Sequence, residues 1–177
     1  SPEAYEAYLR GMHFWNRRAL RDSVPYFEKA IELAPDFALA YSGLSNAYGL
    51  LSSLELTEPV EGFRRTRENA EHALQLDPDL PDAQLAIAWM LVWYDGEWKT
   101  AEDHFLSIQQ QFPDYAPAFY WHATMLGYQR RFDQAFEKLD AATELDPIAI
   151  PVTRLRTFIL SMAGRYEEAI DTGLRHL

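Results

Sequence analysis

The chain contains no cysteine, and that single absence removes disulfides, thiolate metal sites and cysteine nucleophiles together. Compartment stays open, because a cysteine-free chain suits cytoplasm and periplasm equally. Long apolar runs are also missing. None approaches the roughly 18 residues needed to cross a bilayer, and no signal peptide opens the sequence. The first residues, Ser1-Pro2, include no initiator methionine, which leads us to expect a segment of a longer protein. Neither phosphate-cradling pattern, GxxxxGK(S/T) or GxGxxG, occurs anywhere. Positive charge is scarce too, with 16 Lys and Arg against 27 Asp and Glu for a net charge of −11. A chain so charged repels phosphate backbones and anionic lipid, since either partner needs a basic face that releases counterions. The clusters Arg17-Arg18 and Arg64-Arg65-Thr66-Arg67 are short and flanked by acids. Direct nucleic-acid contact and membrane insertion by this segment are therefore not expected.

What is present is a repeat. Among 177 residues, 48% are hydrophobic, enough for one domain with a substantial core. Four prolines stand in similar surroundings, at Pro35, Pro78, Pro113 and Pro147, separated by 43, 35 and 34 residues. A period near 34 is the length of a helix–turn–helix with short connections. Proline ends each hairpin because it lacks a donor and biases the preceding residue away from the α region. Each is preceded by an amphipathic stretch. In one, Val24, Phe27, Ala30, Ile31 and Leu33 share a stripe, and Ala135 to Leu145 repeats the pattern. Ala30, Ala73 and Ala142 each lie five residues before a proline, where two helix axes approach closely and small residues are needed.

These features resemble the tetratricopeptide-repeat family, whose pattern is an aromatic, a large apolar and a small residue, a Tyr, then Ala, an aromatic and Pro over 34 positions. Gly11, Phe14, Ser23, Phe27, Ala30 and Pro35 carry it loosely in the first unit. Tyr41, Leu44, Ser45, Tyr48, Ala70, Ala73 and Pro78 carry it in the second. Phe119, Ala123, Leu126, Ala135, Leu139, Ala142 and Pro147 carry it in the fourth, and Gly164, Tyr166 and Ala169 in the fifth. The resemblance implies an all-α, right-handed superhelical solenoid of about five hairpins, the last incomplete. We place the units at about 4–37, 38–80, 81–115, 116–149 and 150–177, in a single array. The second unit carries an insertion within 49–63, where Thr57, Glu58 and Pro59 read as a helix start with Thr57 as the capping oxygen. The third has one extra residue near Tyr94-Asp95-Gly96-Glu97, a turn cluster.

The wording of Ala7 to Asn16, Ala38 to Leu44, and Trp93-Tyr94-Asp95 with Trp98 is similar to one bacterial group. There, such repeats form the C-terminal part of signalling proteins that begin with a winged-helix, cyclase or kinase domain. By that resemblance the compartment is the bacterial cytoplasm, or the periplasm if a membrane span precedes the segment. In the family the first helices line a concave face that holds peptides. By phase, that face takes Tyr8, Met12 and Trp15, then Asn46, then Leu85, Trp89 and Trp93. The fourth unit adds Tyr120, Trp121, Thr124 and Tyr128, and the fifth Arg154 and Phe158. Members that grip a peptide's terminal carboxylate use Lys, Asn and Arg. Here the matching positions hold Tyr8, Met12, Gly43, Asp82 and Ala86, so acidic C-terminal peptides are not expected to bind.

Catalysis, cofactors and metals are not expected. The histidines His13, His72, His104, His122 and His176 show no pair at metal spacing with a third ligand. Glu102-Asp103-His104 reads as solvated surface, and His122 as a hydrogen-bonded, partly buried imidazole at a helix–helix contact. Glu167-Glu168 and Glu68-Glu71 fall on second helices, where no water-excluding cleft is expected. The reading is a non-catalytic interaction scaffold, part of a larger bacterial regulatory protein, holding a protein, a peptide segment or another domain of the same polypeptide. The alternative is a sensor of a small apolar, aromatic or sugar-like effector. A third possibility is a spacer or homo-oligomer, suggested by apolar edges at Leu174 and Leu177.

Overall fold

The computed structural model describes residues 1–174, so Leu177 and His176 lie outside the described residues. Ten helices follow one another: α1 (Pro2–Asn16), α2 (Leu20–Leu33), α3 (Ala38–Ser53), α4 (Pro59–Leu76) and α5 (Pro81–Trp93), then α6 (Trp98–Gln111), α7 (Ala116–Tyr128), α8 (Phe132–Leu145), α9 (Ile150–Met162) and α10 (Tyr166–Leu174). No strand occurs among the described residues. Proline punctuates both ends. It occupies the first turn of α1, α4, α5, α7 and α9, where a missing N–H costs nothing. After α2, α4 and α8, the residue before each proline leaves the helical region: Ala34 at φ −148°, Asp77 at φ −143° and Asp146 at φ −142°.

The helices fall into two compact units, Ser1–Ala101 and Glu102 onward. In the first unit, α1, α3 and α5 lie side by side while α2 and α4 pack between them in sequence. Phe27 is wholly buried at its centre with Leu44, Ala47 and Tyr48. A Cβ on Gly11 would sit 2.7 Å from the Phe27 ring, so that glycine lets α1 close onto α2. Ala30 packs with Ala7 and Ala40, and Ala73 with Leu80 and Ala83. Leu33, expected on the buried stripe of α2, is instead exposed; it is the last helical residue, with no following turn to cover it.

Polar ties cross between hairpins. Arg21 of α2 donates to the Leu56 carbonyl at 2.6 Å. Tyr48 donates to Glu28 at 3.2 Å and accepts from Arg65 at 2.7 Å, while Arg65 also holds Glu61 at 2.8 Å. The surplus residues of the second hairpin make α3 and α4 the longest helices, at 16 and 18 residues. The cap on α4 is Glu58, not Thr57: its carboxylate accepts from the amides of Val60 and Glu61. Pro59 occupies the first helical position and so fixes the cap one residue before itself.

In the second unit, α7 packs on α8 and α9, and α9 on α8 and α10. Phe105, Ile108, Ala123, Met125, Leu126, Leu139, Ala142, Ile159 and Leu160 are among its buried apolar residues.

Candidate functional site

The residues singled out from the sequence all lie on the odd-numbered helices. In the first unit, Tyr8, Met12 and Trp15 of α1 are half-buried and lean on the Phe27 cluster. Tyr8 also meets Tyr5, Phe27 and Phe37, at ring separations of 6.2, 6.0 and 5.3 Å. Burial, then the neighbouring Asp82 carboxylate, push its phenol pKa upward. Asn46 is half-buried on α3, and Leu85 is buried. Trp89 and Trp93 touch at 5.1 Å, and Trp93 meets Trp98 edge-on at 6.0 Å. Much of the aromatic surface thus packs ring against ring and is not laid open to water.

The second unit differs. Tyr120 and Trp121 of α7 are half-buried and touch at 5.4 Å. Thr124 is buried and spends its hydroxyl on the Tyr120 carbonyl at 2.9 Å, so it presents nothing outward. Tyr128 and Phe158, from α7 and α9, stand 5.8 Å apart and are 44% and 41% exposed. Arg154, one turn before Phe158, is also exposed. Here two successive first helices offer a pair of aromatic rings and a cation to solvent.

Beneath that face lies a buried polar network. His122 is 1% exposed and stacks on Phe105 at 5.3 Å and 8°. Its Nδ1 is 3.0 Å from the Gln109 amide nitrogen, which also donates to the Ala118 carbonyl. Lys138 donates to the Gln109 carbonyl oxygen at 2.7 Å. An ammonium can only donate, so this contact fixes the amide orientation, and Nδ1 must then be the acceptor. The imidazole proton sits on Nε2, which has no hydrogen-bond partner and faces Glu102 at 3.9 Å. Burial, then the Lys138 charge, press the imidazole pKa down to about 4, with Glu102 opposing. Glu102 itself is bound through both oxygens by Arg131, at 2.7 and 2.8 Å. Expected as solvated surface together with Asp103 and His104, Glu102 is instead half-buried in an ion pair, because its position on α6 turns toward Arg131; Asp103 and His104 are exposed. Among the described residues, no cluster of three His, Asp or Glu could hold a metal ion.

No family model matches the chain, and no curated protein does. Solved structures do. TTC0263, a thermophilic tetratricopeptide-repeat protein of Thermus thermophilus, superposes with a TM-score of 0.83 at 16% identity, over 98% of this chain and 90% of that one. PilW, a type IV pilus biogenesis factor, gives 0.70 at 16% identity, covering 98% and 76%. YrrB, described as having an unusual peptide-binding site, gives 0.51 at 19% identity, covering 94% and 80%. The fold is that of the tetratricopeptide repeat.

Within the tetratricopeptide fold, three things went unseen in the sequence. The first is the pairing Glu102–Arg131 and Gln109–Lys138, one from α6 to the residue that caps α8 and the other from α6 to α8, both 29 residues apart. That shared offset, complementary polar residues one repeat apart less a turn and a half, is the signal that would have found them. The second is the depth of His122, expected partly buried and found 1% exposed, with Gln109 as its partner. The third is a groove of about 570 Å³ between α8 and α10, floored by Phe136 and Leu160 and rimmed by Asp133, Glu137, Asp140 and Glu168, with Arg156 and Arg165. Arg156 holds Asp140 at 2.6 Å. Arg165 binds Glu168 through both oxygens and covers the Phe136 ring at 4.9 Å.

Proposed function

We propose that the chain is a non-catalytic protein-interaction module whose first-helix faces hold a peptide or protein segment, within a larger bacterial regulatory protein. The Tyr128–Phe158 pair carries the proposal. Two large rings kept partly in water on adjacent first helices, beside the Arg154 guanidinium, supply the aromatic and cationic anchors that dominate binding energy at interfaces. In the same unit, Tyr120 and Trp121 pack ring against ring on the helix that carries Tyr128. The likeness to tetratricopeptide structures, one described as peptide-binding, supports the reading at the level of fold. Pull-down or crosslinking with the full-length parent protein and its cell extract tests it. Tyr128→Ala with Phe158→Ala abolishes capture of a partner while the helical circular dichroism signal is unchanged. Equal capture by wild type and variant refutes the assignment.

A second reading, a small apolar or sugar-like effector, rests on the Trp89–Trp93–Trp98 ring cluster. It requires quenching of tryptophan fluorescence and a rise in melting temperature by a small molecule.

A further inference from the structure

We propose that the groove between α8 and α10 is a second docking site, on the opposite helices from the aromatic face, and that it takes a basic segment of a partner protein bearing an apolar residue. Shape comes first. The groove is lined by α8 on one wall and α10 on the other, with α9 contributing Arg156 and Leu160 beneath. A smaller concavity of about 80 Å³ shares Arg156 and Thr172 with it and extends the lining along α8 to Thr143 and on to Asp146 and Pro147. From Asp133 to Thr143 the α8 wall runs about 15 Å, the span of a four- or five-residue extended peptide.

Charge then selects the occupant. Four carboxylates and two guanidiniums rim the main groove. Both arginines are already engaged, Arg156 by Asp140 and Arg165 by Glu168 and Phe136, so neither is free to attract an anion. Asp133 and Glu137 form no hydrogen bond or ion pair among the described residues, though Asp133 lies in the field of Arg165 and Glu137 in that of Lys138. They stand one turn apart on the same wall, about 6 Å along the axis. Alternate side chains of an extended peptide repeat at nearly that distance. Two lysines or arginines separated by one residue therefore match the two carboxylates, and an apolar side chain on the same segment meets the half-buried Phe136 beside the Arg165 guanidinium, Leu160 being buried behind it. Beside the groove's end, Ile148 in the turn and Ile150 at the start of α9 are 89% and 71% exposed, further apolar surface for such a segment.

The test uses the chain as it stands and a fluorescein-labelled, end-blocked Lys-Ser-Lys-Ser-Leu-Ser-Leu peptide, whose lysines and leucines share one face when extended, followed by anisotropy. The expected result is saturable binding that weakens with added salt. Asp133→Asn with Glu137→Gln weakens it about fivefold, the order expected for two partly exposed ion pairs. The matched control, Asp22→Asn with Glu71→Gln, removes the same charge from exposed positions on α2 and α4 and leaves affinity unchanged. Tyr128→Ala also leaves it unchanged, which separates this site from the aromatic face. Exchanging the leucines for serine weakens binding, and exchanging the lysines for glutamate abolishes it. No binding, equal weakening by both charge pairs, loss through Tyr128→Ala, or displacement by spermine at the peptide's own concentration would each overturn the proposal.

Discussion

Replacing His122 with leucine gives the most direct check on the buried network. In the fold the imidazole is neutral, with its proton on an Nε2 that no acceptor reaches. Its pKa is held at about 4, mainly by burial and then by Lys138, against about 6.5 in an unfolded chain. The unfolded state therefore binds the proton more readily, and stability is lost as pH falls from the unfolded toward the folded value. Between pH 7 and pH 5 the loss from this residue alone comes to about 2 kcal/mol. The side chain is only 2% exposed, so water does little to screen it. His122→Leu removes that dependence. It also removes the unsatisfied N–H, while the Gln109 amide keeps the Ala118 carbonyl as acceptor. Urea titrations of wild type and variant at pH 7 and pH 5, followed by circular dichroism, measure the difference. Subtracting one protein from the other cancels the surface carboxylates that titrate in both. At pH 7 the two are within about 1 kcal/mol, since a lost hydrogen bond offsets a relieved buried donor. At pH 5 the leucine variant is the more stable, by a gap about 2 kcal/mol wider than at pH 7. Parallel pH dependence in the two proteins would refute the assignment of His122 as a buried neutral base.

Three further outcomes are expected. Gly62→Val destabilises by about 2–4 kcal/mol, because even a Cβ would fall 1.9 Å from the Ser52 hydroxyl oxygen; a variant melting with the wild type would show that α3 and α4 can part at little cost. Glu58→Ala costs about 1 kcal/mol through loss of the α4 cap, whereas Thr57→Ala costs the cap nothing, and urea midpoints for the two compare them directly. Tyr128→Ala with Phe158→Ala changes thermal stability by less than about 1 kcal/mol, as both rings are partly exposed, and a larger loss by calorimetry would make them packing residues and not anchors.

The helical hairpins were legible because their signals are local. Proline spacing, alanines at close helix approaches and apolar stripes each act within a turn or two. The cap on α4 was read one residue early because Thr57 looks like the better capping side chain, while the geometry of Pro59 decides the matter. The candidate face was legible only as a phase on the first helices. Phase says which side a ring leaves from, not whether a neighbour covers it. Trp89 and Trp93 meet one another, whereas Tyr128 and Phe158 keep much of their surface in water, and only packing makes that distinction. His122 lies deeper and Glu102 is more engaged than expected, because each is defined by partners on other helices.

Tetratricopeptide hairpins are often treated as interchangeable bricks. Here the Arg21 guanidinium clasps the Leu56 carbonyl, and Glu28 receives the Tyr48 hydroxyl. Both clasps reach from the opening hairpin into the enlarged one that follows. Shuffling the enlarged brick behind a stranger would return that carbonyl to water and take the acceptor from a largely buried phenol, so these two neighbours form one inheritable block, to be cut or grafted as a pair.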